Sequence, residues 1–179
     1  LLNYYDLKMN KHIPDVYLLG SISQRKELLA GLLDTDGSVS HAVVEFCNTN
    51  KRLAYDVLSL VRSLGHKAKM RIDRAQFNGK DYGERYRVSF TPNCQVFKLE
   101  RKARVLEAQQ KEHKNQTTHI KYITAIVPVG KKDTKCIAVD NNDHTFLVGE
   151  HYTVTHNCEI SGTKVLLSDG TWADIESLN

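Results

Sequence analysis

Apolar positions along the first 115 residues follow two different periods. In SQRKELLAGLL, Leu28, Leu29, Leu32 and Leu33 recur at helical spacing behind a serine, which predicts a helix over Ser23–Leu33 ending at Asp34-Thr35-Asp36-Gly37. HAVVEFCNT (His41–Thr49) alternates β-branched and aromatic residues and reads as a strand. In NKRLAYDVLSLVRSLG, Leu53, Val57, Leu60, Val61 and Leu64 return at spacings of three and four before Gly65, a residue suited to a left-handed helix cap. KAKMRID and ERYRVSF flank the turn-rich stretch Asn78–Gly83, the pattern of a hairpin, and Val96–His113 is a charged helical run.

Beyond Asn115-Gln116-Thr117-Thr118, the expected domain boundary, the period shortens. YITAIVPV, KCIAVD, TFLVG, HYTVT and TKVLLS are short strand candidates separated by Gly, Asp and Asn turns, which predicts a compact β domain. The fold class expected is therefore α+β, a mixed α/β part followed by a small all-β part.

Charge sharpens the division. The net charge is +4, but residues 1–115 hold 20 Lys+Arg against 13 Asp+Glu, while residues 116–179 hold 5 against 8. A basic first part suits a phosphate backbone, or is simply a solvated surface. No apolar run approaches a membrane span of about 20 residues, and the chain start lacks a basic segment followed by an apolar one, so neither membrane nor secretion signal is expected. The four cysteines, Cys47, Cys94, Cys136 and Cys158, are far apart with no CxxC pair, which argues against a zinc site and a disulfide framework and for a reducing, cytoplasmic setting.

The densest chemistry is Thr155-His156-Asn157-Cys158. An asparagine side-chain nitrogen can attack its own backbone carbonyl and release the next residue's amine, a step that a neighbouring imidazole assists by protonating the leaving nitrogen. A cysteine thiolate can attack the preceding carbonyl and convert the peptide to a thioester. A strand end with a buried cysteine is the ordinary alternative.

The flanking sequence adds to this. TKCIAVDNNDHTFLVGEHYTVTHN resembles the C-terminal splicing motifs of inteins, and CEISGTKVLLSDGTWADIESL resembles their N-terminal motif, so the two occur in reversed order. The resemblance implies a Hint-type splicing domain built from 116–157 and 158–179. Asn157 and Cys158 would be its reacting residues, His156 and His144 would assist, Thr155 would belong to the motif, and Cys136 would be a possible second nucleophile. Splicing would need no cofactor. Taken locally, His144 is equally an exposed turn histidine and Cys136 an inert strand cysteine. The Thr-x-x-His segment that activates the first cysteine in that family has no counterpart, since His12, His41 and His66 do not fit it.

Lys11-His12-Ile13-Pro14, LLAGLLDTDG (Leu28–Gly37), VEFCNTNKRLAYDVLSLVRSLG and VFKLERK resemble the second half of a LAGLIDADG-type homing endonuclease. This resemblance implies a half-unit over 1–115. Gly31 would let two helices approach, and Asp36 would hold Mg²⁺ at their junction, with Asp34 the weaker candidate. Lys11 would lie near the phosphate, unless it is only a solvated lysine before a turn. Lys67, Lys69, Arg71, Arg74, Arg85 and Arg87 would contact duplex DNA. A single such helix is visible, so the implied partners are a second endonuclease half, a complementary intein segment and the exteins of a host protein. The competing reading is a DNA-binding half-module with an inert β tail.

Overall fold

The computed structural model describes residues 4–8, 10–112, 122–156 and 158–178. The backbone divides into two compact units, Leu1–Ile120 and Lys121–Asn179. The expected boundary at residues 115–118 lies outside the described residues, as do His113 and Asn157.

The first unit begins with a short helix α1 (Asp15–Leu18) and then runs α2 (Ile22–Asp36), β1 (Gly37–Ser40), β2 (Val43–Asn48), α3 (Lys51–Ser63), β3 (Lys69–Phe77), β4 (Lys80–Phe90) and α4 (Glu100–Glu112). The strands form one antiparallel sheet in the order β1-β2-β4-β3. Helix α2 starts at a capping box in which the Ser21 hydroxyl accepts from the Gln24 amide and the Gln24 side chain accepts from the Ser21 amide. It runs on to Asp36, so Asp34 and Asp36 occupy its last turn rather than a loop beyond it.

Helix α3 is capped at Asn50, whose side chain accepts from the Leu53 amide. It ends as the apolar spacing predicts. Gly65 has φ +84°, the Gly65 amide donates to Arg62 O and the His66 amide donates to Val61 O, the paired bonds of a Schellman motif. Strands β3 and β4 are longer than expected because the turn between them is only Asn78-Gly79, with φ +50° and +76°. An Asn-Gly pair adopts these angles readily and matches the twist of its strands.

Alternation along the strands sends Val44, Phe46, Tyr86, Val88 and Phe90 to one face, where Val44, Phe46, Val88 and Phe90 pack with Leu29 and Leu33 of α2, Val57, Leu60 and Val61 of α3 and Leu106 of α4. Helix α4 starts later than the sequence pattern suggests, since Val96 and Phe97 enter the core as a non-helical segment whose amides donate to Gln95 Oε1.

The second unit contains β5 (Thr134–Cys136), β6 (Phe146–Val148), β7 (Thr153–Thr155), β8 (Cys158–Ile160), β9 (Lys164–Leu166) and β10 (Trp172–Asp174), then a single 3-10 turn at Ile175–Ser177. One sheet has the order β10-β9-β6-β7 and β5 pairs with β8. Its buried core is Phe146, Val165 and Ile175. The expected strand YITAIVPV does not form: residues 122–129 join no sheet, and Tyr122, Ile123, Ile126, Val127 and Val129 are exposed. Their apolar pattern asks for burial, but a strand also needs an edge to pair with. Among the described residues no helix is long and apolar enough to cross a membrane.

Candidate functional site

The end of α2 is held by groups from α4, from the entry to α4 and from β2. Lys102, buried on α4, donates from Nζ to Leu33 O (2.9 Å), Asp34 O (2.9 Å) and Gly37 O (2.6 Å). An ammonium here answers the orphan carbonyls and negative dipole end of α2. Burial, and next the neighbouring Arg101, pull the Lys102 pKa below the usual lysine value. A Cβ on Gly37 would lie 2.5 Å from Leu33 O and 2.8 Å from Leu33 Cα, so the backbone passes too close for any side chain.

The two aspartates do different work. Asp34 accepts from the Lys98 and Leu99 amides at 3.1–3.3 Å, which ties the entry of α4 to α2. Asp36 is exposed and takes a single hydrogen bond, from Asn48 Nδ2 at 3.3 Å. Asn48 Oδ1 accepts from the Asn50 amide (2.8 Å), and Asn50 Nδ2 donates to Lys11 O (3.0 Å). A chain of asparagines thus joins the Asp36 carboxylate to the backbone of Lys11, and Asp56 Oδ2 holds the same segment by accepting from the Ile13 amide (2.9 Å). Asn48, Asn50 and Lys102 escape sequence reading. The only trace is the polar Asn48-Thr49-Asn50 step between strand and helix.

Opposite the core, the sheet's open face carries Lys69 and Arg71 on β3 and Arg85, Arg87 and Ser89 on β4, placed by register with Lys69 opposite Ser89 and Arg71 opposite Arg87. Two of the six basic residues singled out from sequence depart from it. Lys67 precedes β3 instead of lying on it, and Arg74 sits at a register shift and pairs with Asp81 toward the hairpin tip. Cys47 shares this face, opposite Arg87, and burial raises its thiol pKa.

In the second unit Cys136 and Cys158 lie directly opposite each other on β5 and β8 and are joined as a disulfide. This corrects the expectation drawn from their wide spacing, because strand pairing closes a distance that sequence cannot show. Thr155 Oγ1 donates to Glu159 Oε1 (2.9 Å), and His156 is exposed. His144, at φ +54°, bonds through Nδ1 to Val139 O (3.1 Å); a carbonyl only accepts, so Nδ1 carries the proton and Nε2 is the basic nitrogen when the ring is neutral. Asp143 beside it is held below the usual carboxylate range by hydrogen bonds from the Thr145 hydroxyl and amide.

Residues 23–124 match the LAGLIDADG-like domain. The chain belongs to the LAGLIDADG family. Over 150 residues it is 39% identical to the replicative DNA helicase DnaB of Mycobacterium intracellulare, an alignment covering 83% of this chain and 26% of that protein. The chain therefore spans about a quarter of the length of the relative it matches, and the similarity runs beyond the first unit into the second.

LAGLIDADG endonucleases bind duplex DNA and generally use divalent metals such as Mg²⁺. A hard cation takes several oxygen ligands. Asp36 offers one accessible carboxylate, Asp34 is committed to backbone amides, and the described residues hold no group of three acidic, His or Cys side chains fit for a metal. One accessible carboxylate is too few to fill a cation's shell.

Proposed function

We propose that this chain is the second half of a homing endonuclease joined to an intein splicing unit, and that its first unit binds duplex DNA through the open face of the β1-β2-β4-β3 sheet. The observation that carries the DNA reading is the placement of Lys69, Arg71, Arg85 and Arg87 on that one face. The accessible Asp36 would lie at the junction with a second acidic helix docked along α2, where Gly31 is exposed with no atom within 4 Å of an added Cβ. Mg²⁺ shared there would activate water and stabilise the leaving oxygen. Lys102 and the asparagine chain would fix the backbone on either side of the reacting phosphate. Binding to duplex DNA that falls steeply with added salt is expected, and binding that is constant across salt would remove this reading.

Three features support the splicing assignment. The reversed motifs meet at Asn157-Cys158, Cys158 is held beside Cys136, and the match falls within about a quarter of a helicase chain, as a nested element would. The small core of the second unit and the exposed 122–129 segment fit a splicing domain that gains further strands from elsewhere. In this reading Asn157 cyclises, His156 and His144 move protons, and Cys158 or Cys136 supplies the thiol once reduced. Intact mass after incubation under reducing conditions tests it: a chain that stays whole, like its Asn157→Ala variant, leaves only the DNA-binding half.

A further inference from the structure

The open face of the first unit's sheet is not uniformly basic. Asp73 on β3 and Glu45 on β2 stand among its cations. Asp73 Oδ1 accepts from Arg85 Nε, while Asp73 Oδ2 lies 3.4 Å from Arg85 Nη2 and 3.3 Å from Arg87 Nε. Glu45 Oε1 accepts from Arg87 Nη1 at 3.2 Å. The four side chains are 23–32% exposed, so these are partly desolvated pairs rather than loose surface contacts. Arg87 Nε is buried and, apart from the Asp73 carboxylate, has no polar partner.

A face serving only to hold phosphates gains from each cation and loses from each carboxylate. Two acids at its centre need another account. Part of it belongs to the sheet itself, since Arg71 and Arg87 are directly opposed like charges that Asp73 and Glu45 offset. The geometry goes further. A guanidinium presents its donors in one rigid plane; Arg85 gives its Nε–Nη2 edge to Asp73, and Arg87 gives Nε to Asp73 and Nη1 to Glu45, which leaves Arg85 Nη1 and Arg87 Nη2 for a second partner. A side chain already fixed loses less entropy on binding and tolerates less error in its target.

Resting on the duplex-DNA reading, we propose that Asp73 and Glu45 are specificity-determining residues: they hold the Arg85 and Arg87 planes for hydrogen bonding to base edges, above all guanine O6 and N7 in the major groove, and their charge suppresses binding to phosphates alone. The full chain is allowed to select duplexes from a randomised pool. Wild type, Asp73→Asn and Glu45→Gln are then titrated with a selected duplex and a scrambled duplex of equal composition, with thermal melting in parallel. Asp73→Asn is expected to lose about tenfold of the preference, while the scrambled duplex binds as tightly as before or more tightly. Equal weakening on both duplexes would overturn the proposal and leave the acids as neutralisers of Arg71 and Arg87, and so would an unchanged preference. A wild-type chain that binds all duplexes alike overturns this proposal only. One that binds no duplex at any salt overturns the DNA reading with it.

Discussion

Asp34 and Asp36, separated only by Thr35, sit at the end of one helix, and their substitutions should separate cleanly. Asp34→Ala leaves the Lys98 and Leu99 amides without their carboxylate and is expected to cost about 1–3 kcal/mol, read as a lower melting temperature. Asp36→Ala removes one long hydrogen bond from an exposed side chain, so stability and DNA binding should stay near wild type while Mg²⁺-dependent cutting, assembled with a second acidic helix, is abolished. Equal melting losses for the two variants would refute this division of roles. Lys102→Met should destabilise by at least about 2 kcal/mol, because Leu33, Asp34 and Gly37 all lose their shared donor in a buried place. Asp73 is one residue-level source of acid sensitivity. The hydrogen bond from Arg85 holds the Asp73 pKa below its ordinary 3.8, so its contribution is complete above that value and disappears as pH falls through the lower folded value. An Asp73→Asn chain should lack that component of the acid-unfolding profile. Sequence alone could propose Asp36 from the motif, but Lys102 reads there as one more charge on a polar helix, because its burial depends on where α4 meets the end of α2.

At the scale of elements, α2, α3 and the β3–β4 hairpin were legible because each carries a long, strongly periodic apolar set or a turn whose residues dictate its angles. Strand β1 was not: GSVS is four residues, mostly polar, and becomes a strand only because β2 lies beside it. The segment 122–129 failed in the opposite sense, since its composition states a preference for burial without supplying a neighbouring edge. The role of Gly31 also shifts with the structure. It lies on the exposed side of α2 rather than against the unit's own core, so its small size serves nothing within the described residues. Gly31→Leu should therefore raise the melting temperature slightly, by up to about 1 kcal/mol of helix propensity, while weakening association with a second LAGLIDADG helix. Sedimentation and melting of the same variant check both halves. A variant that is destabilised, or one that associates as well as wild type, would show that this face of α2 is not where the second helix docks.

For the whole molecule, the disulfide decides how the proposed splicing chemistry can be tested. Cys158 Sγ is bonded to Cys136 Sγ, so the thiol route at the Asn157 carbonyl opens only after a reductant takes up the disulfide's oxidation and leaves two thiols. Cysteine attack would then move the Asn157 acyl group from nitrogen to sulfur, and added thiol would release residues 1–157 as a new thioester. Asparagine cyclisation needs no thiol: the Asn157 side-chain nitrogen bonds to its own carbonyl carbon and the Cys158 amine leaves with a proton. Because Cys136 and Cys158 lie on opposite sides of that bond in sequence, a chain cut by cyclisation under oxidising conditions stays covalently joined. Its mass does not change, and it separates into two fragments only when reduced. We therefore expect one band without reductant and, after long incubation, two on reducing gels, with Asn157→Ala abolishing the thiol-independent fraction. Losing an activating group commonly slows such steps by ~10²–10⁴, and since the Thr-x-x-His stretch at Thr153–His156 belongs to the C-terminal motif, the thiol route is expected in that range. Fragments that appear without reductant on non-reducing gels would show that Cys136 and Cys158 are not joined in solution. No fragments under any condition, with Cys136→Ser and Asn157→Ala both indistinguishable from wild type, would leave the second unit as a β fold without self-processing chemistry and the first as a DNA-binding half.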